Sequence, residues 1–169
     1  KEINALSRHP FAFFGHSMGA IVAYETARQL NVLRASQPMH LFVSARGAPH
    51  LQENSDSLRF LDDEAFVDRL QETYGAVPEP IRKDAKLRKI FVPILRADVE
   101  LLETYEETSS EPLDCPITAL GGASDPAVSR AKLEGWRSRT SAEFTNHEFP
   151  GEHFYIENER EAVIASIIK

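Results

Sequence analysis

The segment Gly15-His16-Ser17-Met18-Gly19 follows directly on the apolar run Phe11-Ala12-Phe13-Phe14 and precedes a stretch with helical spacing. A G-x-S-x-G motif between a strand and a helix is the context of a nucleophile elbow. There a serine sits on a sharp strand-to-helix turn with its hydroxyl exposed at the edge of a sheet. The flanking glycines are expected because a side chain at either place would collide with neighbouring backbone. Residue 17 is early for a complete fold of this kind. The expectation is therefore that an N-terminal part with several strands is missing, and that the strand at 11–14 has an exposed apolar edge.

The rest of the chain alternates. Residues 11–14 read as a buried strand, apolar on both faces, as in a parallel sheet. Met18 to Leu30 reads as a helix. Leu41 to Ala45 reads as the next strand, closed by Arg46-Gly47-Ala48-Pro49. From Asp62 to Tyr105 the pattern is helical but interrupted: Leu61, Phe66 and Leu70 fit one amphipathic helix, Gly75, Pro78 and Pro80 break it, and further helices follow. Ile117 to Leu120 reads as a strand ended by Gly121-Gly122. Ser129 to Arg139 reads as a helix with Ser129 as N-cap. Phe144 to Phe149 is a last strand and Glu159 to Ile168 a last helix. This order indicates an α/β fold, a mostly parallel sheet with flanking helices. The segment at about 52–112 is too long and too helical for a simple crossover and reads as a lid inserted after a strand. Residues 1–169 then form one partial domain.

Composition excludes several classes. The 169 residues suffice for one domain with a hydrophobic core. No apolar run is long enough to span a bilayer as a helix. The start, Lys1-Glu2-Ile3-Asn4, is unlike a secretory signal, although any signal would lie upstream. One cysteine, Cys115, rules out an internal disulfide framework and fits a reducing compartment, so a cytoplasmic protein is expected. The formal charge of −7 argues against a general nucleic-acid-binding surface and leaves room for a local basic patch.

A serine hydroxyl needs a base to take its proton, and the base needs an orienting group. With Ser17 as nucleophile, an acid and then a histidine are expected in loops after later strands. Asp125 lies in Gly121-Gly122-Ala123-Ser124-Asp125-Pro126, and His153 in Pro150-Gly151-Glu152-His153-Phe154. Strand C-termini are where ligands meet an open parallel sheet. The other candidates are weaker. His9 precedes the first strand, and His40 lies at the wrong end of a strand. His147 sits within a strand as a half-buried structural residue, and His50 is an outside candidate near the lid. His16 packs beside the sheet rather than moving protons. Asp98 falls in a helix, Asp114 precedes a strand, and Glu152 is too close in sequence to face His153. The backbone N–H of Met18 is expected to form one half of an oxyanion hole. Its other half would come from an earlier strand.

These residues resemble a family. The chain is similar to the C-terminal two-thirds or so of a type II thioesterase, a stand-alone α/β-hydrolase of nonribosomal peptide and polyketide synthesis. The likeness rests on Phe13 to Ala20 at the elbow, Leu41 to His50 in the next strand and loop, and Glu72 to Pro78 and Leu95 to Asp98 in the lid. It extends to Cys115-Pro116-Ile117, Gly135-Trp136 and Phe149 to Phe154. The resemblance implies Ser17 as nucleophile, Asp125 as acid, His153 as base and Met18 as oxyanion donor. Two positions depart from the family: Ala123 where a second Asp is common, and Glu152 where Gly often precedes the histidine. A carboxylate beside His153 is expected to favour the charged imidazole. The implied activity is hydrolysis of acyl thioesters from the phosphopantetheine arm of carrier proteins, an editing function. It needs no metal or organic cofactor and fits a monomer.

Carrier docking would need local positive charge on an acidic chain. Arg82, Lys83, Lys86, Arg88 and Lys89 supply it, opposed only by Asp84, and a solvated helix face is the plainer reading of the same residues. The same triad would also serve a medium-chain acyl-carrier-protein thioesterase, a carboxylesterase or a fused chain-terminating domain. A non-catalytic truncated remnant is the alternative from outside enzymology.

Overall fold

A computed structural model describes residues 9–51, 57–75 and 77–168. Four parallel strands form the sheet: β1 (Ala12–His16), β2 (His40–Ser44), β3 (Ile117–Gly122) and β4 (Phe144–Phe149). Their spatial order is their chain order, β1-β2-β3-β4. Register pairs Phe14 with Phe42, Val43 with Ala119, and Leu120 with His147. All four C-termini therefore lie at one edge, where the loops carrying Ser17, Asp125 and His153 emerge.

Helices cover both faces. Helix α1 (Met18–Val32) buries Ala20, Ile21, Tyr24 and Ala27 against Leu41, Val43, Ile117 and Ala119. Those spacings, three and four along the helix and two along the strands, are why one stripe and one face can meet. Leu133 and Trp136 complete this cluster. On the opposite face Ala45, Leu120 and Tyr155 pack with Val163 of α6 (Arg160–Ile167).

Between β2 and β3 lies a helical insertion built from α2 (Asp63–Tyr74), α3 (Glu79–Lys83) and α4 (Ala85–Thr104). Asp62 caps α2 by accepting from the N–H groups of Glu64 and Ala65, and Asp84 caps α4 in the same way. Gly75 ends α2 with φ 62°, a left-handed conformation that favours glycine. The insertion has its own core of Phe66, Val67, Leu70, Val77, Val92 and Val99. Arg96 ties its layers together. It donates to the carbonyls of Arg59 and Leu61 and to Asp63, with its guanidinium 4.4 Å from the Phe66 ring centroid. Among the described residues no helix is long and apolar enough to cross a membrane.

Several boundaries differ from the sequence reading. Among the described residues β1 lies at one edge of the sheet; Ala12 and Phe14 are exposed, which departs from a strand buried on both faces and matches the exposed apolar edge expected there. Gly121 and Gly122 extend β3 rather than ending it, because both are fully buried and continue the pairing with β4. The helix expected at 129–139 is capped by Ser129 but splits into α5 (Arg130–Glu134) and a tighter 3-10 turn (Gly135–Arg139). That turn seats Trp136, whose indole N–H donates to the Arg46 carbonyl at 2.7 Å. Pro80 lies inside the first turn of α3, where a missing N–H costs nothing. His147 is exposed on the edge strand β4 rather than half-buried.

Candidate active site

Ser17 occupies the turn between β1 and α1 with φ 54° and ψ −118°. A non-glycine residue there costs of order 1–3 kcal/mol and persists only when neighbours enforce it. Two constraints do so. The Ser17 N–H donates to the Ser44 carbonyl at 2.7 Å, and the Ser17 carbonyl accepts from Ala20 N–H at 3.0 Å. Gly15 lets the turn close, since a Cβ there would fall 2.1 Å from the Gly19 carbonyl oxygen. The same expectation does not hold at Gly19, where a Cβ would meet nothing within 4 Å among the described residues. Serine is a favoured helix cap, but the Ser17 side chain makes no cap hydrogen bond to α1. Its Oγ is instead 3.0 Å from His153 Nε2.

His153 Nδ1 is in turn 2.8 Å from Asp125 Oδ2. Both side chains are almost fully withdrawn from solvent, at 2% and 0% exposure. The second Asp125 oxygen accepts from the Ala127 N–H at 2.8 Å, which fixes the carboxylate plane. The loops that carry the two residues are stitched together by backbone bonds from Ala123 N–H to the Phe149 carbonyl and from Ser124 N–H to the Gly151 carbonyl. Gly122 permits that approach: a Cβ there would lie 2.2 Å from the Glu152 carbonyl oxygen.

The other histidines stand apart from this line or play another part. His40 starts β2, stacks on Phe42 and bonds Thr118 Oγ1, at the far end of the sheet. His9 and His50 are exposed, as is Glu152. Asp98 lies in α4, and Asp114 accepts from Ser141 ahead of β3. His16 packs its ring against those of His153 and Phe154, each at 5.4 Å. Its Nδ1 is 2.9 Å from Ser44 Oγ, which is 2.6 Å from the Tyr155 hydroxyl. Burial, and then the neighbouring His153, lowers the pKa of His16 to about 4 against the opposing pull of Asp125. His16 is thus neutral at physiological pH. Burial pushes the Tyr155 phenol up to about 12, so it stays a neutral hydrogen-bonding group.

Three neighbours of the site were not singled out from the sequence: Ser44, Tyr155 and Tyr74. Ser44 is fully buried at the end of an apolar strand, and a serine in such a run is the one signal that pointed to it. Tyr74 reaches the site from α2 and sets its ring 4.9 Å from that of His153. Lys1 to Arg8 and residues 52–56 lie outside the described residues, and so does whatever they contribute. Among the described residues no group of three or more His, Cys, Asp or Glu side chains is arranged to hold a metal ion.

A buried carboxylate, an imidazole bonded to it, and a serine hydroxyl facing the other ring nitrogen form a line along which a proton can pass from oxygen to nitrogen. Comparison with known proteins identifies the family and the fold. A family model described as a thioesterase domain matches residues 1–169. The gramicidin S biosynthesis protein GrsT of Aneurinibacillus migulanus is 39% identical over 169 residues, covering 100% of this chain and 66% of that protein. The type II thioesterase BorB from the borrelidin biosynthetic cluster superposes with TM-score 0.86 at 36% identity, covering 99% of this chain and 67% of that one. The RedJ thioesterase from the prodiginine pathway of Streptomyces coelicolor gives TM-score 0.88 at 35% identity, with 98% and 65% covered. The chain thus spans about two-thirds of the length of these relatives. Their fold is the α/β-hydrolase fold, and with a family match along its whole length this chain belongs to the thioesterase domain family.

Proposed function

We propose that the chain carries the catalytic triad of a serine thioesterase that hydrolyses acyl thioesters from the phosphopantetheine arm of carrier proteins. The synthases concerned are those of nonribosomal peptides and polyketides, and the role is editing of stalled or wrong acyl groups. The observation that carries this reading is the line Ser17 Oγ, His153 Nε2, His153 Nδ1, Asp125 Oδ2, at 3.0 and 2.8 Å.

The chemistry follows from that line. Ser17 Oγ attacks the thioester carbonyl carbon while His153 Nε2 takes its proton, and Asp125 holds the ring and balances the imidazolium. The carbonyl oxygen becomes an oxyanion facing the backbone N–H of Met18 at the positive end of α1. Collapse breaks the carbon–sulfur bond, and His153 returns the proton to the departing thiolate. Water then attacks the acyl-serine as His153 takes one of its protons. The second collapse releases the carboxylic acid, and Ser17 recovers its proton from His153. The route uses no metal or organic cofactor.

The helical insertion serves as the lid of this site. Its basic stretch Arg82, Lys83, Lys86, Arg88 and Lys89 is the surface on which an acidic carrier domain docks. Lys83 pairs with Glu79, and Arg88 donates to the Arg82 carbonyl, while Arg82, Lys86 and Lys89 are exposed. The protein acts as a monomer in the cytoplasm, where its carrier partner is loaded.

Hydrolysis of an acyl group from a loaded carrier domain, followed by intact-protein mass, tests the proposal. Loss of the acyl mass with the parent protein and retention with Ser17→Ala supports it. Equal rates for both overturn it.

A further inference from the structure

The His153 ring is held by more than its two hydrogen bonds. His16 packs on it from the elbow at 5.4 Å, and Phe154 lies at 5.2 Å. The closest ring is that of Tyr74, at 4.9 Å and an interplanar angle of 58°. Tyr74 is the last residue of α2 and packs at the same time against the insertion's own core. It therefore belongs to two bodies of packing, that of the insertion and that around His153.

A second contact lies one residue on. A Cβ built at Gly75 would stand 3.9 Å from Glu152 Oε2, so Tyr74 and Gly75 lie against Glu152 and His153. Gly75 closes α2 in a left-handed turn, and Asp62 caps the helix at its start. Between them α2 presents Tyr74 as a fixed projection. An imidazole bonded at both nitrogens can still rock about the line between its partners, and tight ring packing limits that motion.

We propose that Tyr74 is a positioning residue that couples the helical insertion to His153, so that the base is aligned on Ser17 only while the insertion is seated. The inference rests on the reading of Ser17, Asp125 and His153 as a triad. The ring of Tyr74 performs the task by packing, without its hydroxyl. Moving α2 away from the sheet edge would withdraw the ring and release the imidazole. A substrate that displaces the insertion would thus find an unaligned base until the insertion closes again.

The test is the rate of Ser17 labelling by a fluorophosphonate probe, with saturation kinetics to separate probe binding from the covalent step and with thermal melts as a folding control. The full chain is compared with Ser17→Ala, Tyr74→Phe, Tyr74→Leu and Tyr74→Met. The parent labels and Ser17→Ala does not. Tyr74→Phe labels within about threefold of the parent, while Tyr74→Leu and Tyr74→Met slow the covalent step by about tenfold or more with probe binding little changed. Met fills the space flexibly, so the comparison survives if Leu melts too low to assay. A folded Leu or Met variant that labels as fast as the parent overturns the inference and leaves the triad reading intact. A folded parent that does not label overturns the triad reading itself, and this inference with it.

Discussion

His16 Nδ1 lies 2.9 Å from Ser44 Oγ, and that hydroxyl lies 2.6 Å from the phenol oxygen of Tyr155. The three residues come from the elbow, the end of β2 and the turn after His153, so the chain of bonds ties together the loops around Ser17. It has a consequence for pH. Burial, then the neighbouring His153, lowers the His16 pKa from 6.5 to about 4 in the folded protein. The unfolded state therefore binds more protons between those values, and stability falls as pH drops from about 6.5 towards 4. Burial lowers the His40 and His50 pKa values too, so they add to the slope with the same sign. Urea unfolding at steps from pH 7 to pH 4 measures the total. His16→Asn, which keeps a polar side chain but cannot titrate, is expected to flatten the slope. An unchanged slope would show that His16 is not held neutral.

Gly122 is the position where one added carbon is expected to disable the site. Its Cβ would fall 2.2 Å from the Glu152 carbonyl oxygen and 2.7 Å from that of Gly151. Real Cβ atoms do not approach backbone oxygens so closely, so the loop bearing His153 must shift. Gly122→Ala is therefore expected to cut labelling of Ser17 and thioester hydrolysis by at least about a hundredfold, the cost of displacing a reacting group by about 1 Å. The fold itself should survive, because the clash falls on a surface loop. Parent-like activity in Gly122→Ala would mean that the loop tolerates the displacement.

That Ser17 sits on a strand-to-helix turn and meets Asp125 and His153 from later loops was legible in the sequence, because it depends on local grammar: a strand, a glycine-flanked serine, a helix, then loops after strands. Strand ends were legible to within a residue or two where apolar runs meet turn residues, as at Leu41 to Ala45. What was hidden depends on which surfaces meet. Nothing in the spacing of Glu72-Thr73-Tyr74-Gly75 says that the tyrosine ring touches His153, since that contact is set by how the insertion lies on the sheet edge. His147 looks like a half-buried strand residue until the order β1-β2-β3-β4 makes β4 an edge. Gly121-Gly122 looks like a strand terminator, yet both glycines stay in β3 because Leu133 and Glu152 press on them.

The return of the insertion to the sheet is anchored by a buried ion pair. Arg139 Nη2 lies 2.7 Å from Glu107 Oε2, with 8% and 11% of the side chains exposed, and Tyr24 donates to the other Glu107 oxygen at 3.0 Å. Tyr105 donates to Glu25 of α1 beside it. Removing one member leaves the other buried without its partner, which costs about 3–5 kcal/mol. Glu107→Ala is expected to lose stability on that scale in chemical denaturation. The double variant Glu107→Ala, Arg139→Met should recover part of the loss, because the uncompensated guanidinium is gone. A single variant within about 1 kcal/mol of the parent would mean that water replaces the carboxylate there.

Lys86 and Lys89 offer a test of partner docking that leaves the site alone. The chain carries a formal charge of −7, yet five cations fall within residues 82–89. Asp84, the one acid among them, is engaged in capping α4 through the Lys86 and Leu87 N–H groups. Lys86 lies in the first turn of α4, where a negative side chain agrees with the helix dipole, so Lys86→Glu is not expected to unfold it. The double variant Lys86→Glu, Lys89→Glu should lower kcat/KM on a carrier-bound thioester by about tenfold, mainly through association, and weaken the salt dependence. Hydrolysis of a small thioester without a carrier domain should stay the same, because neither lysine touches the triad. Equal losses on both substrates would indicate damage to the insertion. Unchanged rates on both would make this stretch a solvated helix face and would leave the proposal for Ser17, Asp125 and His153 untouched.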